Sequence, residues 1–229
     1  MTIRIASFDI GKKNFAFYVE DCRPDILLKL SSSYSSLPKK FQRRVKGLMN
    51  NKIDTMLSIL YKSSKRVEMG VFDLRERKDS NILDMETRVN MCHLLESYNW
   101  LWLTCDIIII EQQYFNIKGG EANVDAIKLG ECCLCWFLIN YGLFKEIQYF
   151  GSTYKTQTLG APNKMTKSQR KKWSIEKGRS IFNLRNDEEG LNLLDSKKNS
   201  AGKKQKQDDI CDCIIMTQAY KFRKLVSNI

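Results

Sequence analysis

The chain has 229 residues, 43% of them hydrophobic, which suits a single domain with a sizeable core. Its formal net charge is +12 and its pI near 9.3, a balance that favours a polyanionic partner, nucleic acid first, because each lysine or arginine that neutralises a phosphate releases counterions. No apolar span reaches membrane length and the N-terminus is too polar for a signal peptide, so the expectation is an intracellular, reducing compartment and no membrane partner.

Taken in order, the elements alternate between strand and helix. Ile3 to Asp9 reads as a strand that ends in an acid, followed by a turn containing Gly11 and a second strand at 14 to 20. Leu30 to Lys40 is rich in serine and lysine, Phe41 to Tyr61 has a helical pattern, and residues 23 to 70 as a whole are read as an insertion. Val67 to Leu74 is a third strand and Asn81 to Trp100 an amphipathic helix. Cys105 to Glu111 is a continuous β-branched run, the mark of a strand buried on both faces, and it too ends in an acid. Then come a helix over Val124 to Tyr141, a strand at Glu146 to Phe150 and a basic helix over Lys164 to Phe182. A polar, loose basic stretch at 183 to 206 leads into a final helix from Asp208 to about Leu225. Strands joined by helices predict an α/β fold, a mixed sheet flanked by helices on both faces, in one domain spanning 1 to 229.

Chemistry concentrates in the acids. Asp208-Asp209-Ile210-Cys211-Asp212 opens an apolar helix. Asp208 reads as its N-cap, and Asp209 and Asp212, spaced i,i+3, would stand about 5–6 Å apart on one face, able to share metal ions. Asp9 and Glu111 each end a strand, and in open sheets ligands bind beyond the carboxyl ends of parallel strands. The eight cysteines lack the paired C-x-x-C spacings of a zinc site and read as small buried thiols. A single histidine, His93, leaves little material for a histidine-based triad or an HExxH site, so carboxylates must carry any hydrolysis.

The order strand-Asp, strand-Glu, helix-Asp-x-x-Asp resembles the RuvC-like branch of the ribonuclease H-like superfamily, particularly the Holliday-junction resolvases of poxviruses and other large DNA viruses. Phe8-Asp9-Ile10-Gly11-Lys12-Lys13-Asn14 is similar to that family's first acidic motif, Ile109-Ile110-Glu111-Gln112 to its second and Asp208-Asp209-Ile210-Cys211-Asp212 to its last. Arg170-Lys171-Lys172-Trp173-Ser174-Ile175-Glu176 resembles the basic segment that opens a helix ahead of the final acids.

The resemblance implies a ribonuclease H-like fold and phosphodiester hydrolysis by two divalent cations held between Asp9, Glu111, Asp209 and Asp212. All-carboxylate ligation selects hard ions, so Mg²⁺ is expected and Mn²⁺ should substitute. It further implies that Lys171, with Lys172 as the second choice, approaches the site to stabilise charge developing on the scissile phosphate. Lys12, Lys13, Gln112, Lys164, Lys167, Arg170 and Lys172 are the expected contacts to DNA. Trp173 and Tyr154 either stack on unpaired bases or belong to the core. The implied partner is a four-way junction cut by a homodimer, in a viral setting at the cytoplasmic or nuclear site of DNA replication.

Three other readings compete. A ribonuclease H acting on RNA–DNA hybrids would use the same acids. In actin-like ATPases and sugar kinases, Asp9-Ile10-Gly11 would belong to a phosphate-binding hairpin, but such proteins need two domains of this fold, more than this chain supplies. A non-catalytic nucleic-acid-binding protein is the third, and the presence of all four acids argues against it.

Overall fold

In the computed structural model, which describes residues 2–42, 50–77, 82–113, 123–196 and 207–228, both acid-ending strands form as expected and lie side by side. Strand β1 (Ile3–Asp9) pairs antiparallel with β2 (Phe15–Cys22), which pairs antiparallel with β3 (Ser64–Phe72). On its other side β1 runs parallel to β4 (Ile107–Gln112), and β4 parallel to β5 (Glu146–Gly151), giving a mixed five-stranded sheet of order β3-β2-β1-β4-β5.

The period-2 alternation of the strands divides the core in two. Ile5, Ala16, Tyr18, Ile107 and Ile109 face one layer, and Ala6, Phe8, Phe15, Phe17, Ile108 and Ile110 the other. The first layer is made by α1 (Pro24–Ser35), α3 (Asn51–Lys62), α8 (Lys167–Arg185), α9 (Glu188–Ser196) and α10 (Gln207–Tyr220). The second is made by α4 (Met85–Ser97), α5 (Asn99–Trp102) and α6 (Val124–Tyr141). Short helices α2 (Lys39–Gln42) and α7 (Ser152–Thr158) follow α1 and β5. This is the three-layer arrangement that the alternating pattern predicts.

The structure adds elements that the pattern does not announce. Helix α1 begins with Pro24 at its first position and buries Leu27, Leu30 and Tyr34; its serines are accommodated because Ser32 and Ser33 return their hydroxyls to the Leu28 and Lys29 carbonyls. Strand β3 starts at Ser64, so the stretch read as an insertion ends inside the sheet. The helix expected up to Trp100 breaks at Tyr98 into α4 and α5; its expected start at Asn81 lies outside the described residues. Residues 183 to 196, expected to be loose, are helical: α8 runs on to Arg185 and ends at Asn186 in the left-handed region (φ 55°). Asp187 then takes Arg66 and the Gly190 N–H, at 2.8 Å each, at the start of α9. The lysines at 197, 198, 203, 204 and 206 lie outside the described residues. The final helix is α-helical to Tyr220 and π-helical over Lys221–Val226.

A buried polar cluster locks the helical layer onto β2. Glu20 receives Arg185 at 2.9 Å, Tyr18 Oη at 2.9 Å and Gln218 Nε2 at 2.9 Å, and pairs with Lys221, whose ammonium also donates to Ser64 Oγ at 2.7 Å. Burial alone would raise the Glu20 pKa, yet Arg185 and Lys221 together hold it down to about 2. Burial, with Arg185 adding to it, keeps the Lys221 ammonium below its ordinary pKa despite Glu20, as expected where two cations share one carboxylate.

Candidate metal centre

Parallel pairing of β1 and β4 puts Phe8 opposite Ile110, so Asp9 and Glu111, one residue farther along each strand, become neighbours at the carboxyl end of the sheet. The third acid arrives from α10, which packs across β1. Ser7 Oγ, on the same side of β1 as Asp9, donates to the Cys213 carbonyl at 3.0 Å and accepts from Thr217 Oγ1 at 2.8 Å. This fixes Asp212, the neighbour of Cys213, beside the strand ends. Asp9, Glu111 and Asp212 each offer an oxygen, and these oxygens all lie within 4.8 Å of one another. They stand at the base of a cleft of about 360 Å³ whose rim includes Lys12, Lys13, Asp125, Lys171 and Asp209.

Lys155, from α7, reaches into this group. Its ammonium lies 2.8 Å from Glu111 Oε1 and 2.9 Å from Asp212 Oδ2, and its side chain is only 7% exposed. Burial by itself would lower its pKa, but the charges of Glu111, Asp212 and Asp9 outweigh burial and keep it firmly protonated. Burial would likewise raise the Glu111 pKa, and the Lys155 charge reverses this and holds the carboxylate ionised. Asp9 goes the other way: burial, reinforced by the negative charge of Glu111, pushes it well above the usual carboxylate range. Three carboxylates therefore face one ammonium, a surplus of negative charge that a divalent cation would neutralise. Hard oxygen donors at this separation fit such an ion, and Asp9, Glu111 and Asp212 would hold it.

The other acids of the last motif take different places. Asp208, expected as the N-cap, falls inside the first turn of α10 and pairs with Lys171. Asp209 lines the cleft but stands outside the group of three. Lys171 is on the cleft wall, half-buried, with Asp208 as its partner. Of the expected DNA contacts, Lys12 meets Asp125 at 2.6 Å beside the cleft, Lys13 is exposed at its rim and Gln112 ends β4. Lys164, Lys167, Arg170 and Lys172 are exposed before or on the first turn and a half of α8, and Lys172 pairs with Glu176 at 3.8 Å. Trp173 packs against the core, and Tyr154 packs on Phe150 with the Arg223 guanidinium over its ring at 4.1 Å.

Two polar residues of the site escape a reading of the sequence. Lys155 is a lone base in Ser152–Thr158, with no motif around it; only its position just after a strand of the parallel half of the sheet hints at the site. Ser174 sits in the basic segment among more conspicuous charges, and its Oγ donates to Asp212 Oδ1 at 2.6 Å.

No protein-family model matches the chain. The uncharacterized protein 170L of Invertebrate iridescent virus 6 is 29% identical over 242 residues, covering 96% of this chain and 89% of that protein. Among solved structures, the yeast mitochondrial Holliday junction resolvase Ydc2 superposes with a TM-score of 0.53 at 11% identity, covering 96% of this chain and 79% of that one. Thermus thermophilus RuvC superposes with a TM-score of 0.50 at 11% identity, covering 95% of each chain. At such identities the likeness is one of fold. The fold is the ribonuclease H-like one of the RuvC-type resolvases, as the order of the acidic motifs implies, and the sequence relative is viral. Among the described residues no helix is long and apolar enough to cross a membrane.

Proposed function

We propose that this protein is a divalent-cation-dependent endodeoxyribonuclease that resolves four-way DNA junctions. The observation that carries the reading is the convergence of Asp9, Glu111 and Asp212, from β1, β4 and α10, at the end of a RuvC-like sheet in a strongly basic chain. Mg²⁺ is the expected ion, with Mn²⁺ as a substitute, because the donors are carboxylate oxygens. When bound, such ions lower the pKa of a water and stabilise the leaving oxygen of the phosphodiester. The residues of this chain do the rest. Asp9, Glu111 and Asp212 form the inner ligand set, and Asp209 extends it from the cleft wall. Lys155 keeps Glu111 ionised and orients both Glu111 and Asp212, and Lys171, on the cleft wall, would supply positive charge to the transition state. Lys12, Lys13, Lys164, Lys167, Arg170 and Lys172 would give the cleft a basic approach for the phosphate backbone, with the Gln112 amide as a neutral hydrogen-bonding contact.

A junction has two strands of like polarity to cut, and a homodimer supplies two sites. Ile139, Leu143 and Phe144, at the end of α6, are 84%, 92% and 84% exposed, an apolar surface that suits contact with a second copy.

The experiment is to incubate the purified protein and Mg²⁺ with a synthetic four-way junction, an RNA–DNA hybrid and a plain DNA duplex, and to measure its mass in solution. Symmetric nicking of the junction by a dimer is expected. Preferential degradation of the hybrid's RNA strand would replace the resolvase reading with a ribonuclease H one.

A further inference from the structure

Helix α8 faces the acidic turn of α10 with Lys171, Ser174 and Gly178, spaced i, i+3 and i+7 and therefore on one stripe. Each makes a different contact. Lys171 pairs with Asp208, Ser174 Oγ donates to Asp212 Oδ1 at 2.6 Å, and Gly178 lets the helices close, since a Cβ there would stand 2.8 Å from Cys211 Sγ. The middle contact is the one that reaches a ligand of the acidic group. Serines within helices commonly turn the hydroxyl back to a carbonyl four residues earlier, as Ser32 and Ser33 do here. Ser174, only 5% exposed, instead spends its proton on Asp212.

That bond removes a specific freedom. An aspartate carboxylate rotates about its last torsion in a broad well, so a single contact leaves its plane loosely set. Asp212 is held at both oxygens: Oδ1 by Ser174, and Oδ2 by Lys155 at 2.9 Å, which also holds Glu111. We propose that Ser174 is a positioning residue, whose hydroxyl fixes the plane of the Asp212 carboxylate so that this ligand is preset for cation capture beside Asp9 and Glu111. Ligands of metal ions are routinely oriented in this way by outer hydrogen bonds, and loss of such a bond costs about 10–100-fold in affinity or activity. The proposal rests on reading the three acids as a metal centre.

Mn²⁺ alone is the probe, its affinity measured by calorimetry and by its electron paramagnetic resonance signal. Wild type should bind Mn²⁺ in a manner that Asp9→Asn abolishes. Ser174→Ala should weaken Mn²⁺ about tenfold or more while circular dichroism and the melting temperature stay near wild type. In an Asp212→Ala background, Ser174→Ala should add no further loss, because the serine then has no ligand to orient. Cleavage by Ser174→Ala should recover as Mg²⁺ is raised, whereas cleavage by Asp212→Ala should not. If wild type binds Mn²⁺ through Asp9 but Ser174→Ala binds as tightly, or if its loss persists undiminished without Asp212, Ser174 does not position the ligand and the metal centre stands. If Asp9→Asn and wild type bind alike, the metal centre itself is wrong, and the role of Ser174 falls with it.

Discussion

The Lys155 ammonium lies 2.8 Å from Glu111 Oε1, an ion pair in which both side chains are less than a tenth exposed. Removing one partner of such a pair leaves an uncompensated buried charge. Lys155→Met should destabilise the metal-free protein by about 3 kcal/mol, and Mg²⁺ should raise its melting temperature more than it raises that of wild type. Junction cleavage should fall about 100-fold or more, with junction affinity nearly unchanged. Lys171→Ala should also slow cleavage with affinity and salt dependence preserved, but should cost under about 1 kcal/mol of stability, because that side chain is half exposed. Normal turnover in the Lys155 variant would remove it from the site.

Asp9→Asn, Glu111→Gln and Asp212→Asn should abolish cleavage and leave DNA binding intact or tighter, since each weakens metal capture and lessens repulsion of phosphate. Asp209→Asn should be milder than these three, because Asp209 stands outside the cluster. Stability separates the acids further. The folded Asp9 carboxyl has its pKa raised, so its charged form opposes folding at neutral pH, and Asp9→Asn should raise the metal-free melting temperature by about 2–4 °C per kcal/mol relieved. Calorimetry in EDTA checks this, and a lower melting temperature would contradict it.

Gly178→Ala tests the contact between α8 and α10. Its new methyl would meet Cys211 Sγ at 2.8 Å and Cβ at 3.1 Å, so the helices must part, at a cost of about 1–3 kcal/mol. Asp212 rides on the same turn as Cys211, so Mg²⁺-dependent cleavage at a temperature where the variant is fully folded should drop as well. Pairing it with Cys211→Ala, which makes room, should restore much of both.

Acid should act through Glu20. Its folded pKa, about 2, lies below the ordinary 4.5, so its stabilisation is complete above pH 4.5 and disappears as the pH falls toward 2. By linkage the amount is roughly 3 kcal/mol. Glu20→Gln should lose this slope and at pH 7 should be less stable by about 3–5 kcal/mol, with Arg185 and Lys221 left buried and unpaired. Urea midpoints at pH 7, 5, 4 and 3 for both proteins decide it, and parallel curves would exclude the role assigned to Glu20.

What could be read from the residues follows from range. Asp9 and Glu111 were legible because each ends a run whose alternation or β-branching marks a strand, and the parallel pairing then follows from the fold. Helix α6 was legible at both ends for a similar reason: Asn123 caps it and Gly142 closes it. Contacts that depend on the approach of distant elements left no local mark. Lys155 and Ser174 matter only because α7 and α8 meet β4 and α10, and α9 is ordered by Arg66, more than a hundred residues away. Asp208 looked like a cap because acids favour that position, but α10 begins one residue earlier, at Gln207, and Asp208 pairs with Lys171.

The acidic group draws one member from the ninth residue and another from the 212th. During synthesis, β1 and β4 can pair while α10 is still unmade, and a nascent chain at that stage displays Asp9 and Glu111 without the third carboxylate. A chain cut or stalled before α10 docks lacks the third acid of the group, however well its sheet is formed. Whatever chemistry the three acids carry therefore begins only once α10 has docked, rather than growing gradually as the sheet assembles.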